Sequence, residues 1–199
     1  MDIFEYRQFT TKIAVLKIIK KIYYKSLLEN EINELSKIKN EQRKQEFITV
    51  RIIRNHLFGK KKILYNEFGA PYIENSKSYI SISHNNEYAV IAWSDDHHVG
   101  VDIEKEDRDI SMIEKKFISN NEEKLLEIDD KNENTLKIWC IKEALYKLYQ
   151  KKELDFLNDL NCDKVNTDIW KGSIKKDKKE YLFFIKKFRN NIICFNFKT

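Results

Sequence analysis

The chain has 199 residues, 42% hydrophobic and 13% aromatic, with Gly 4 and Pro 1. That composition excludes collagen-like, linker-rich, low-complexity and disordered proteins, and a chain this long can bury about 70% of its unfolded surface. The 37 basic and 32 acidic residues leave a net charge of +5, with +4 in residues 1–100 and +1 in residues 101–199. A basic first half suits an acidic protein partner, a phosphate-bearing ligand or nucleic acid, without choosing among them.

Cys140, Cys162 and Cys194 have no CxxC spacing, which fits a reducing compartment better than a disulfide framework or zinc site. No apolar run approaches the length of a membrane span, and Met1 to Thr10 lack both parts of a signal peptide. The expectation is a cytoplasmic globular protein.

In chain order, residues 27–58 read as helical. Leu28, Ile32 and Leu35 lie on one stripe, and Phe47, Val50, Ile53 and Leu57 begin a second. Lys62–Asn66 is short and apolar, and Phe68-Gly69-Ala70-Pro71-Tyr72 is a turn with the single proline. Tyr79–Ser83 alternates Ile80 and Ile82 with serines. Tyr88–Trp93 is a near-continuous apolar run of the kind found at a sheet centre. Ser94–Asp96 reads as a turn and His97–Glu104 as another strand. The signal is helical again from Ser111 to about Lys151, with Ser119 as cap before Asn120–Ile128 and the clearest helix over about 133–150. Lys164 to Phe197 reads as three strands, the last two (180–188 and 192–197) separated by Arg189-Asn190-Asn191. There is no sequence repeat and no linker, and helix combined with antiparallel-looking strand in each half gives an α+β fold class.

Three segments carry candidate chemistry. In Val99-Gly100-Val101-Asp102-Ile103-Glu104, strand alternation sends Val99, Val101 and Ile103 to one face and Gly100, Asp102 and Glu104 to the other. The two carboxylates would sit about 6.6 Å apart along the strand, close enough to share a divalent cation, with Gly100 keeping the approach open. In Trp139-Cys140-Ile141-Lys142-Glu143-Ala144-Leu145-Tyr146-Lys147, helical spacing puts Trp139, Glu143 and Lys147 on one face. Ser81-Ile82-Ser83-His84-Asn85 places a serine and a histidine at a strand end, where they could donate to a phosphate or close a turn. His97-His98 lacks metal-ligand spacing and is assigned no chemistry. Each segment alone also fits an ordinary half-exposed strand, helix face or turn. Together they suggest a hard-cation site of oxygen ligands, holding Mg²⁺ through carboxylates and substrate phosphates, with the nucleophile supplied by a partner or water.

Gly69-Ala70-Pro71-Tyr72, Ile82-Ser83-His84, Gly100-Val101-Asp102-Ile103-Glu104 and Trp139-Cys140-Ile141-Lys142-Glu143-Ala144 with Lys147, in this order, resemble the 4′-phosphopantetheinyl transferases, in the monomeric surfactin-synthetase-activating form. The resemblance runs in register over roughly residues 40 to 150. It implies two similar α+β halves related by a pseudo-twofold axis, 1–104 and 105–199, with coenzyme A and Mg²⁺ in the cleft between them. It further implies Asp102, Glu104 and Glu143 as metal ligands, with Glu143, Lys147 and Asp102 catalytic. Lys142 and Lys147 would face the coenzyme A phosphates, Ser83 and His84 its 3′-phosphate, and Arg51 and Arg43 would contact the same molecule. Glu122 matches a family acid near the site and is an alternative general base.

The implied partner is an apo acyl or peptidyl carrier protein, with no nucleic acid or membrane, and the implied state is a monomer. Two departures stand out: Ala70, where the family often has a basic residue, and the glycine-free stretch Gln150–Leu154. Two other readings use the same residues, a Mg²⁺-dependent phosphodiesterase or nuclease and a catalytically silent coenzyme A-binding module.

Overall fold

The computed structural model of the chain describes residues 2–21, 23–127, 130–151 and 153–199. The expected helix end at Ile128, and Lys152 of the glycine-free stretch, lie outside these residues. The fold is α+β, with two antiparallel sheets and helices packed against them. The first sheet contains β1 (Phe4–Gln8), β2 (Thr11–Lys17), β3 (Ile63–Tyr65), β4 (Pro71–Ile73), β5 (Tyr79–His84) and β6 (Tyr88–Ser94), in the order β1-β2-β6-β5-β4-β3. The second contains β7 (Val101–Lys105), β8 (Leu160–Lys164), β9 (Ile169–Ile174), β10 (Lys179–Phe188) and β11 (Asn191–Phe197), in the order β7-β11-β10-β9-β8. Helices α1 (Glu29–Lys37) and α2 (Glu41–Phe58) follow β2, and α3 (Asn120–Leu126) and α4 (Lys131–Tyr149) follow β7.

The two sheets repeat one topology that the sequence does not display. In each, a strand is followed by helices and then by four strands whose last returns to pair with the first: β6 with β2, and β11 with β7. β7 is therefore the opening strand of the second half. A division at residue 104 cuts through this strand, because its ladder partners are residues 191–195. The N-terminal hairpin β1–β2, paired from Phe4↔Val15 to Gln8↔Thr11, had no sequence reading; the three strands expected from Lys164 to Phe197 are β9, β10 and β11, and β8 before them was not expected.

Period-two alternation explains the layering. Ile13, Val15, Val90 and Ala92 from the first sheet meet Val101, Ile103, Ile193 and Phe195 from the second in one buried layer. The opposite faces are covered by helices: Ala14, Leu16, Ala89 and Ile91 pack against Val50 and Ile53 of α2, while Ile192 and Cys194 pack with Ile138, Ile141 and Leu145 of α4. All seven residues of β6 and of β11 are buried, as befits strands with sheet on both sides and layers on both faces. Among the described residues, no helix is long and apolar enough to cross a membrane.

Candidate active site

β7 presents Val101 and Ile103 to the inter-sheet core, so Asp102 and Glu104 necessarily face α4. Both acids are buried, not half-exposed as an ordinary edge strand would have them. Gly100 does something different from what its sequence context suggested. A Cβ there would lie 2.1 Å from the Ala144 carbonyl oxygen and 2.8 Å from Leu148 Cγ. The glycine lets α4 approach β7 closely, and thereby sets the distance between the strand acids and the helix; it does not open a path for ligand.

α4 starts where Asp130 accepts from the backbone N–H of Glu133 at 3.1 Å. Its Trp139, Glu143 and Lys147 line one cavity of about 540 Å³ together with Ser83, His84, Asp102, Glu104, Arg108, Tyr65, Phe68 and Tyr146. The spacing i, i+4, i+8 thus acts as the sequence indicated. Lys147 Nζ donates to Asp102 Oδ1 at 2.9 Å and to the Val101 carbonyl at 2.8 Å. Ser83 Oγ donates to the same Asp102 oxygen at 2.8 Å. Trp139 Nε1 donates to Glu104 Oε1 at 2.9 Å, and Arg108 also donates to that oxygen.

Lys142 is the clear departure. One residue before Glu143 it is rotated about 100° around the helix, and it points into the core with no exposed surface. Its ammonium donates to Glu122 Oε2 at 2.8 Å and to the Phe117 and Phe156 carbonyls. It does not reach the cavity. Glu122 is equally buried: besides Lys142 it accepts from the Ser119 N–H and hydroxyl at the start of α3 and from the Cys162 N–H. This is a saturated structural pair, and it removes Glu122 from the candidates for general base.

Ser83 likewise orients Asp102 through the bond above, so its hydroxyl is engaged away from the phosphate role assigned to it. His84 does sit in the cavity, with Nδ1 3.3 Å from Glu46 Oε2. Burial pushes the imidazole below its ordinary pKa, helped by the positive charges of Arg43 and Lys147 and opposed by Glu46. We read the Glu46 contact as a neutral N–H donating to a carboxylate, because the ring's desolvation is the larger effect.

A second lobe of about 340 Å³, lined by Arg43, Glu46, Phe47, Arg51 and His84, shares Tyr65, Ile82 and His84 with the first. Arg51 is nearly buried there, 3.4 Å from Glu31 Oε1, with its guanidinium stacked 3.6 Å above the Phe47 ring. Glu31 also takes a two-pronged contact from the buried Arg54, at 2.9 and 3.0 Å. Sequence reasoning missed that clamp, although a third arginine, spaced i+3 from Arg51 on one helix, was a usable sign. It also missed Arg108, four residues beyond Glu104 past the strand end, and the aromatic rim Tyr65, Phe68 and Tyr146. The Gly69 turn forms as expected, with φ +82° and the Asn66 side chain accepting from the Phe68 and Ala70 N–H groups.

Electrostatically the cleft is crowded with acids. Burial and the Asp102 charge push Glu104 up, against the Arg108 and Trp139 bonds. Burial raises Glu143 to about 7, with Asp102 and Glu104 adding to the rise and Lys147 and Arg108 opposing it. Asp102 Oδ2 is buried with no hydrogen-bond partner among the described residues. A buried carboxylate oxygen left bare is costly and asks for a cationic or protonic ligand. As they stand, no three or more His, Cys, Asp or Glu side chains among the described residues are gathered into a formed metal cluster. Lys147 and Arg108 are the cations in contact with the strand acids.

Residues 98–194 match the sequence model of the 4′-phosphopantetheinyl transferase superfamily, a span that contains β7, α4 and the acids of the main cavity, Asp102, Glu104 and Glu143. No curated protein matches the chain.

Proposed function

We propose that this protein transfers the 4′-phosphopantetheine arm of coenzyme A to a serine of an apo acyl or peptidyl carrier protein. The observation that carries the reading is the convergence of Asp102, Glu104, Glu143 and Lys147 in one cavity, inside the segment that matches the superfamily. The bare Asp102 Oδ2, in a cavity that Glu104 and Glu143 also line, supports a hard divalent cation, since the donor set is all oxygen. Asp102, Glu104 and Glu143 would hold it. When bound, Mg²⁺ would supply charge neutralisation at the pyrophosphate.

The residues then have distinct tasks. Ser83 and Trp139 lock the orientations of Asp102 and Glu104 before substrate arrives, so little reorganisation remains for the reaction itself. Lys147, anchored at the Val101 carbonyl, keeps a positive charge at the cavity wall where a leaving phosphate gains negative charge. Glu143, whose carboxylate lines the same cavity, accepts the carrier serine's proton directly or through water. The serine oxygen attacks the β-phosphate of coenzyme A, and adenosine 3′,5′-bisphosphate departs. Arg43, Arg51 and His84 in the second lobe suit the nucleotide end of coenzyme A.

Intact-mass spectrometry of several apo carrier proteins, incubated with the protein, coenzyme A and Mg²⁺, tests the reading. A gain of one phosphopantetheine arm that disappears with EDTA supports it. No gain on any carrier, while a known transferase modifies the same samples, would replace it with the silent coenzyme A-binding module.

A further inference from the structure

Glu104 is buried, and the two donors on its Oε1 differ sharply in freedom. Trp139 is fixed on α4, edge-on to Phe117 at 5.0 Å between ring centroids and tilted against Phe156 at 5.6 Å. Arg108 stands on the irregular stretch after β7, its side chain 41% exposed. Its guanidinium carbon is 5.6 Å from the centre of the Trp139 ring. It borders the main cavity and, like Glu104 itself, a second pocket formed with Asn85, Asn86, Lys105 and Asp107. The arginine therefore has open space beside it and can leave Glu104 without unpacking the core.

We propose that Arg108 is a displaceable counter-cation, which neutralises Glu104 until a divalent ion enters the cleft and competes with that ion for the same carboxylate. The inference rests on Glu104 being a metal ligand in the transferase reading. Its physical basis is that a buried carboxylate strongly requires a neighbouring positive charge. Two cations on one oxygen repel each other at short range in a poorly screened cleft. Arginine suits this role because its guanidinium stays charged at any working pH and is weakly hydrated, so it resides against a carboxylate and an aromatic face together. Cation affinity is then set by Arg108 as well as by the ligands.

The test uses Mn²⁺ as probe, titrated into the full chain without coenzyme A and followed by electron paramagnetic resonance, with thermal melts in EDTA alongside. Arg108→Gln is expected to bind Mn²⁺ about tenfold more tightly than the unaltered protein, and to melt lower in EDTA. Arg108→Lys, which keeps the charge, should restore most of the original affinity. A merely structural role would loosen ion binding, not tighten it. Unchanged or weaker Mn²⁺ binding by Arg108→Gln, while Asp102→Asn loses binding, overturns the role of Arg108 and leaves the transferase reading intact. Mn²⁺ binding that is absent, or that survives Asp102→Asn unaltered, overturns the metal site and this inference with it.

Discussion

Two lysines five residues apart on α4 have opposite fates, and they separate structure from function at the scale of single residues. Lys147 meets Asp102 at the cavity wall, whereas Lys142 is sealed in the core against Glu122. Removing one partner of a buried pair leaves the other charge uncompensated, so Lys142→Met should destabilise the fold by about 3–5 kcal/mol. Lys147→Ala also unpairs a buried carboxylate, but at a wall of the cavity, so it should cost less stability than Lys142→Met while losing at least about 100-fold in transfer rate, some 2.7 kcal/mol of barrier. Thermal melts beside single-turnover rates distinguish the two.

Glu143 makes the opposite trade. Its native pKa of about 7 lies above the unfolded value near 4.5, so its ionisation weakens the native state as pH rises from about 4.5 through 7. At pH 8 the ionised carboxylate costs up to about 3 kcal/mol. Glu143→Gln should therefore melt higher than the unaltered protein at pH 8 and lose most of that advantage by pH 5, while its transfer rate falls at least about 100-fold. Equal melting shifts at both pH values would show that the carboxylate is not desolvated as described.

At the scale of elements, the contact between β7 and α4 builds the site. Strand alternation brings Asp102 and Glu104 to one face, and helical spacing brings Glu143 and Lys147 to another; Gly100 brings the two faces together. Gly100→Ala would force its methyl group onto the Ala144 carbonyl and the Leu148 side chain. We expect a loss of about 1–3 kcal/mol, of the size seen for overpacking. The transfer rate should fall further than stability alone explains, because the acids move relative to the helix. Circular dichroism melts and rates measured well below the melting temperature check this. Retained rate with lowered stability would mean that α4 adjusts without disturbing the acids.

At the scale of the whole molecule, the superfamily match begins at residue 98, yet the second half does not own all of its core. Val101, Ile103, Ile193 and Phe195 pack against Ile13, Val15, Val90 and Ala92 of the first sheet. Ser83 of β5, which orients Asp102, also belongs to the first sheet. Residues 98–199 made alone should therefore expose an apolar sheet face and behave as an aggregating or molten species, detected by dye binding and loss of near-ultraviolet dichroism. A sharp, cooperative melt from that fragment would contradict the layered core. In the full chain, Mg²⁺ at 100 times its dissociation constant should add about 2.7 kcal/mol of stability, reversed by EDTA.

By itself the sequence determined the features that depend on local periodicity. The apolar run Tyr88–Trp93 and the Gly69 turn follow from local composition, and the shared strand face of Asp102 and Glu104 and the shared helix face of Trp139, Glu143 and Lys147 from spacings of two and of four residues. The α+β class followed too. What spacing cannot reveal is which side of an element meets the cleft and which meets core or a neighbouring carboxylate: Lys142 and Glu122 pair with each other in the core, and the Ser83 hydroxyl, in the cavity wall, donates to Asp102. Their partners lie 20, 20 and 19 positions away in the chain. The β1–β2 hairpin and the membership of β7 in the second sheet are long-range matters of the same kind, since ladder pairing joins residues 101–105 to 191–195. Tertiary structure decided these points because burial and charge pairing depend on neighbours brought together by folding, and one-dimensional spacing holds no information about them.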